Sequence, residues 1–251
     1  MDIHELFWNA TPDELKQGYI QQGEQFICLL CGEAFEQGII YPDGDRFYEA
    51  FKYVRVHLAK AHEPVFHHLI GLDKKLTGLT DHQRSLMKLF YEGRSDAEVQ
   101  QTLEIGSAST IRNHRFALKE KERQAKIFLA LMDLLKDTDR HAPAMINPPK
   151  TAKMIDDRYH VTEQENDAVL RKYFAGGTDG EITKFTMQEK HKWIVLRQIA
   201  KRFEAGRDYT EKEVNEVLKG AYADYVKVRR YLIEYGFMDR ESDGSRYWLK
   251  V

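Results

Sequence analysis

Three short stretches decide how this chain reads: Thr80-Asp-His-Gln83, Ser95-Asp-Ala-Glu98 and Ser107-Ala-Ser-Thr-Ile-Arg-Asn-His-Arg115. The first two are capping boxes. In each, a hydroxyl accepts from the amide three residues on, and the Gln or Glu there reaches back to the amide of the cap. The first starts a helix with Leu86, Leu89 and Phe90 on one face, ending at Gly93. The second starts a short helix, Asp96 to Leu103, with Val99 and Leu103 inward. After a turn at Ile105-Gly106, a third helix runs to about Lys136. A support helix, a tight turn and a second helix that opens on polar and basic residues are the parts of a DNA-reading helix-turn-helix. The candidate contacts are Ser109, Thr110, Arg112, Asn113, His114, Arg115 and Lys119. Guanidinium groups pair with phosphates or guanine edges, Asn with adenine, and hydroxyls with phosphate. Between Ala108 and Lys126, six Lys or Arg stand against two Glu, a local +4 in a chain of formal net charge −2. The plainer alternative is a core helix with a solvated, charged face.

Leu79-Thr-Asp-His-Gln-Arg84, Leu86-Met87, Leu89-Phe90 and Gly93 lead into Ser95-Asp96, Glu98-Val99 and Ser109-Thr-Ile-Arg-Asn-His114. Together they resemble the LuxR-type helix-turn-helix of bacterial response regulators. In that family a Thr-Val-Lys-x-His stretch enters the major groove, so the resemblance implies this role for Thr110, Arg112 and His114. Two features depart from the family. The turn Glu104-Ile-Gly-Ser107 is one residue longer, and the last helix runs far past the family's end. Along that helix Ile111, His114, Leu118, Lys121, Ala125, Phe128, Met132 and Leu135 recur in steps of three and four. This is a heptad seam with His114 and Lys121 as imperfect members, widened by Leu129, Leu131 and Leu134. Either it packs on its own chain or it pairs two chains. DNA readers that pair half-sites favour a homodimer through the helix 111–135.

Upstream, Cys28-x2-Cys31 is followed by His57-x4-His62. Two thiolates and two imidazoles suit a closed tetrahedral site, so Cys28, Cys31, His57 and His62 are expected to hold a structural Zn2+. Phe26, Phe35 and Val54 stand where a ββα finger keeps its small core. The 25 residues between Cys31 and His57 are about twice the usual finger spacing. An extended hairpin or loop is therefore expected there, with Pro42-Asp-Gly44 as a turn and helical spacing from Arg46. The alternatives are free thiols with surface histidines, His67 or His68 as substitute ligands, or a redox pair, which no βαβ pattern supports. The finger helix carries Lys52, Arg55 and Lys60 beside acidic residues, which suits folding and docking better than base reading.

Pro143, Pro148 and Pro149 make 137–160 read as a linker. Beyond it, a helix over Val161–Phe174, a strand over Ile182–Phe185, three helices and a hairpin around Asp243-Gly244 give the order of a winged helix. Lys227, Arg229, Arg230 and Arg246 are candidates for a second DNA contact, with Arg229 equally readable as a buried salt-bridge partner. Tyr209-Thr-Glu-Lys-Glu-Val-Asn215, Arg229-Arg-Tyr-Leu232, Tyr235-Gly236 and Asp243-Gly-Ser-Arg-Tyr-Trp248 resemble an uncharacterised C-terminal domain of bacterial regulators. The resemblance implies a regulator and assigns no ligand.

At 251 residues with 42% apolar content the chain can build real cores. It shows no signal sequence and no apolar run of membrane-spanning length, and a closely spaced thiol pair suits a reducing, cytoplasmic setting. No glycine-rich phosphate loop, Gly-x-Ser-x-Gly or His-Glu-x-x-His motif occurs, so no enzyme is expected. The expected fold is mainly α, in four parts. A zinc-bound ββα-like module spans 1–75, and a LuxR-like helix-turn-helix with its long helix spans 76–136. A linker follows over 137–160, then an α+β winged-helix-like domain over 161–251. The expected function is a sequence-specific transcription regulator bound to double-stranded DNA as a dimer. The second reading is a scaffold protein that docks other proteins through its zinc and winged-helix modules.

Overall fold

A computed structural model describes residues 3–150 and 157–250. The chain divides into two compact units, Met1–Asp73 with Ala144–Val251, and Lys74–Pro143. It is mostly helical, with a small N-terminal sheet, one long helix and an α+β C-terminal region.

The N-terminal part of the first unit opens with α1 (Ile3–Asn9) and α2 (Pro12–Gln17). Thr11 and Glu14 form the expected capping box, with Pro12 in the first turn. The helix stops at Gly18, whose φ is +83° and where a Cβ would lie 2.7 Å from Val65 Cγ2, so only glycine fits. Strands β1 (Tyr19–Gln22), β2 (Gln25–Cys28) and β3 (Ala34–Glu36) form an antiparallel sheet in that order. Its register sets Tyr19 opposite Cys28 and Phe26 opposite Phe35. Alternation along the strands sends Tyr19, Phe26 and Phe35 to one face, where they pack with Ala50 and Val54. It sends Ile20 and Ile27 to the other, against Leu6 and Phe7.

A second hairpin, β4 (Ile40–Asp43) with β5 (Arg46–Glu49), turns at Gly44 and is the insert that the long spacing demands. It corrects one boundary. The helical spacing starts at Arg46, yet Arg46–Glu49 pairs with Ile40–Asp43, and α3 runs only from Ala50 to Ala61. The two-residue Gly44-Asp45 turn brings these four residues into a ladder before the helix begins. Helix α4 (Val65–Gly71) closes this part.

The second unit holds α5 (Lys74–Thr77), α6 (Asp81–Tyr91), α7 (Asp96–Thr102) and α8 (Ala108–Thr138). Both expected capping boxes are present, at Thr80–Gln83 and Ser95–Glu98. Leu86, Val99 and Ile111, each fully buried, bring α6, α7 and α8 together, with Leu89, Phe90, Leu103 and Ile105 packed around them. Helix α7 ends in a Schellman arrangement, in which Ile105 N–H donates to Gln100 O and Glu104 takes the left-handed position at φ +54°.

The C-terminal part of the first unit contains a 3-10 turn at Asp157–Tyr159, α9 (Glu163–Tyr173), α10 (Glu189–Ala200), β6 (Asp208–Tyr209), α11 (Glu211–Lys219), α12 (Tyr225–Glu234), β7 (Met238–Arg240) and β8 (Tyr247–Leu249). The expected strand over Ile182–Phe185 is not one. Its residues are irregular; Ile182 N–H donates to Ala221 O, and both Ile182 and Phe185 are buried in the core. The two apolar side chains anchor the segment to the core while Thr183 and Lys184 between them stay exposed, with no ladder. The first strand of the small sheet is instead β6, between α10 and α11, in a sheet ordered β6-β8-β7. From α10 onward, helix, strand, two helices and a hairpin follow one another as in a winged helix. Trp193, Leu196, Leu218, Leu232 and Tyr247 form its centre.

Within 137–160 the structure departs from a free linker. Helix α8 continues to Thr138, and Ala144 to Lys150 is pinned to the first unit: Met145 bridges Thr162, and Ile146 N–H donates to Val161 O. The stretch 151–156 lies outside the described residues.

Candidate functional site

The knuckle between β2 and β3 and the C-terminal end of α3 bring Cys28, Cys31, His57 and His62 together. The turn is built by the backbone: Gly32 N–H donates to Cys28 O, and Cys28 N–H to Glu33 O. Helix α3 puts His57 on its inner side, and the cap residue His62 follows its last turn. Four potential ligand atoms, one from each residue, lie within 4.8 Å of one another. Cys31 Sγ is 3.3 Å from His57 Nε2, Cys28 Sγ 3.5 Å from His62 Nε2, and the two Nε2 atoms are 3.1 Å apart. Cys28 is fully buried.

The electrostatics favour a cation. A hydrogen bond from Cys31 holds the Cys28 thiol down at about 4, with the knuckle amides and His62 helping against burial. The same bond, together with burial, pushes Cys31 up. The pair thus shares one proton, which a bound metal displaces. His57 Nδ1 lies 3.3 Å from Glu33 Oε2. A carboxylate there favours the Nδ1–H tautomer and leaves Nε2 free to ligate. This group of four could hold a metal ion. His68, the nearby substitute, is not part of the group. Its Nε2 is buried with no hydrogen-bond partner among the described residues.

In the second unit, Ser107 caps α8 by accepting from Thr110 N–H, and its hydroxyl is within 2.8 Å of Ser109 Oγ and 3.0 Å of Thr110 Oγ1. Arg112 and Asn113 are exposed one turn on. Arg115 is tied down: its guanidinium pairs with Asp96 at 2.9 Å and lies over the Phe90 ring at 3.6 Å. Lys119 pairs with Glu122, and His114 Nε2 lies 3.3 Å from His82 Nε2. The Glu98 carboxyl sits below the usual carboxylate range because Ser95 N–H, then its hydroxyl, donate to it.

In the winged-helix region, Lys227 and Arg230 are exposed. Arg229 is mostly buried, pairing with Glu211 and donating to Asn215. Arg246 bridges Asp208 and Glu241. A cleft of about 550 Å³ opens in the first unit, lined by Leu6, Ile27, Phe203 and Phe237. Its Arg197 and Lys250 are already paired with Glu5 and Asp239.

Two functional groups escape the sequence reading. Glu33 is one acidic residue among many. Lys150 sits in a proline-rich tract that reads as linker, yet it is buried beside the knuckle. Nothing local marks either of them. No helix among the described residues is long and apolar enough to cross a membrane. No curated protein and no solved structure matches the chain. Residues 181–249, from just before α10 through β8, match the family described as an uncharacterized protein conserved in bacteria (DUF2087), and the C-terminal region is a domain of that family.

Proposed function

We propose that this protein is a sequence-specific, DNA-binding transcription regulator that works as a homodimer, with a structural zinc ion in its N-terminal module. The observation that carries this reading is the surface at the start of α8. A short support helix packs on α8 through Val99 and Ile111, while Arg112 and Asn113 stand exposed in the first turns of a helix with a local excess of basic residues. This supports the LuxR-like reading, in which Thr110, Arg112 and His114 would face the groove. Arg115 and Lys119 reach phosphates by exchanging exposed ion pairs that stabilise the free protein little. Lys227 and Arg230 on α12 offer a second basic surface. Arg229 is the weaker candidate because Glu211 and Asn215 already hold it.

Zinc suits the donor set. A tetrahedron with bonds of roughly 2.0–2.3 Å has edges of roughly 3.3–3.7 Å, and the sulfur–nitrogen separations of 3.3 and 3.5 Å lie in that range. With four protein ligands no position is left open for chemistry, so the ion holds the knuckle to α3. The dimer surface is the second half of α8. Every residue from Lys121 to Thr138 is exposed, and Ile127, Phe128, Leu131, Leu134 and Leu135 are each more than half exposed. A second copy of the same helix is the occupant that matches this surface and a paired DNA site together.

The test is selection of bound sequences from a randomised duplex library, followed by fluorescence anisotropy across a salt series. A selected motif, a steep salt slope and a slope reduced by about one in Arg112→Ala support the reading. Salt-insensitive or absent binding leaves the docking role in its place. Metal content is compared in wild type and Cys31→Ser, and equal zinc in both removes the zinc centre.

A further inference from the structure

Lys150 is 1% exposed, although it carries an ammonium group. It reaches into the metal knuckle from 121 residues along the chain. Its Nζ donates to Leu29 O at 2.6 Å and Leu30 O at 2.9 Å, the carbonyls of the two residues between the cysteines. Its backbone N–H donates to His4 Nδ1 at 3.2 Å, and Nζ lies 5.4 Å from the centre of the Phe7 ring. Burying an ammonium costs several kcal/mol unless charge and hydrogen bonds compensate. The compensation here is local: two carbonyls aimed by the knuckle turn, and the negative charge of the cysteine sulfurs.

Lys150 also ends a staple. Ala144 O accepts from Glu163 N–H, and Ile146 N–H donates to Val161 O, on the side of the C-terminal domain. Trp8 Nε1 donates to Pro148 O at 2.7 Å, on the side of α1. The segment 144–150 therefore joins the two parts of the first unit, and its last anchor is the cysteine knuckle.

We propose that Lys150 is the outer-sphere cation of the metal centre and makes this staple conditional on metal: zinc binding and the docking of residues 144–150 are coupled. The inference rests on the zinc reading given above. Zinc, by joining both sulfurs, holds the turn that points Leu29 O and Leu30 O at the ammonium. Loss of zinc frees the turn, removing the geometry that holds Lys150. Coupling is reciprocal, so losing the ammonium must weaken zinc binding by the same factor as losing zinc weakens docking. Zinc availability then sets how firmly residues 144–150 are held to the N-terminal module.

The experiment measures zinc affinity of the full chain by competition with a chromophoric chelator, in wild type, Lys150→Met and Trp8→Phe. Lys150→Met is expected to bind zinc about 10–100-fold more weakly, the usual effect of losing an outer-shell partner. Trp8→Phe loosens the same segment without touching the knuckle, so coupling is expected to weaken zinc binding there too, by a smaller factor because the ammonium remains. Wild-type affinity in Lys150→Met overturns the proposal, and so does a larger loss in Trp8→Phe than in Lys150→Met. A second measurement needs no variant: amine acetylation of the wild-type protein, read by mass spectrometry. Lys150 is expected to label far more slowly than the exposed Lys201 with zinc bound, and to catch up after chelation. Slow or fast labelling that ignores zinc overturns the coupling. Zinc retained in Cys31→Ser is a separate outcome that removes the zinc reading itself.

Discussion

Glu104 sits where a helix end asks for glycine. Its φ of +54° places it in the left-handed region, at the position that Gly93 fills after α6 with φ +75°. A side chain there costs ~1–2 kcal/mol, and glycine in its place gives back part of that through a freer unfolded chain. Glu104→Gly is expected to raise stability by about 0.5–1 kcal/mol in urea unfolding; an unchanged or lower midpoint means the turn carries no strain. The two arginines of the first turns of α8 part company at the same scale. Arg115→Ala loses both the Asp96 pair and the Phe90 face. Arg112→Ala leaves the folded contacts intact and is expected to change stability by less than about 0.5 kcal/mol. A large stability loss in Arg112→Ala would show that the side chain holds the fold and is not reserved for a ligand.

Helix α8 is two things along its length. Its start belongs to a core: Ile111 is fully buried with Leu86 and Val99. Ile111→Ala is expected to cost about 2–5 kcal/mol, because only a small cluster surrounds the cavity it leaves. Thermal unfolding followed by circular dichroism measures this, and a loss under 1 kcal/mol places the core elsewhere. The later half has no such packing, with Leu134 66% exposed and Phe128 61%. Leu131→Glu with Leu134→Glu puts charge into that surface and is expected to shift sedimentation from dimer to monomer while helix content stays the same. A dimer that survives both substitutions assigns its interface to another element. The heptad seam is thus legible as a pattern, but its division into a packed half and an open half is not. That division depends on where α6 and α7 stop covering α8.

At the scale of the whole molecule, the first unit is assembled from segments far apart in the chain, and one half-buried histidine, His68, ties its stability to pH. Burial, aided by Lys150 and then His62, holds His68 down at about 4, against an ordinary value of 6.5. Above 6.5 both folded and unfolded chains carry it neutral. Between 6.5 and about 4 the unfolded chain takes up the proton and the folded chain does not, so stability falls as pH drops through that window. Subtracting the pH profile of His68→Leu from that of wild type isolates this contribution. A flat difference between pH 6.5 and 4 means the imidazole is solvated. The subtraction removes what the two proteins share.

Local chemistry made much of this protein readable in one dimension. Capping boxes at Thr11, Thr80 and Ser95 start helices because hydroxyl, amide and carboxylate or amide side chain meet within one turn, whatever surrounds them. Spacing nominated Cys28, Cys31, His57 and His62, and the long gap implied an insert before its strands were known. Apolar spacing misled at Ile182–Phe185, where two buried side chains flank an exposed Thr183-Lys184 that has no ladder, and at Arg46, where a ladder outcompetes a helix start. What only the tertiary structure decided depends on contacts between distant segments: β6 completing the C-terminal sheet, Glu33 beside His57, and Lys150 in the knuckle. A buried lysine is written in sequence like any surface lysine. Its meaning comes from two carbonyls and a pair of sulfurs that chain folding alone brings to it.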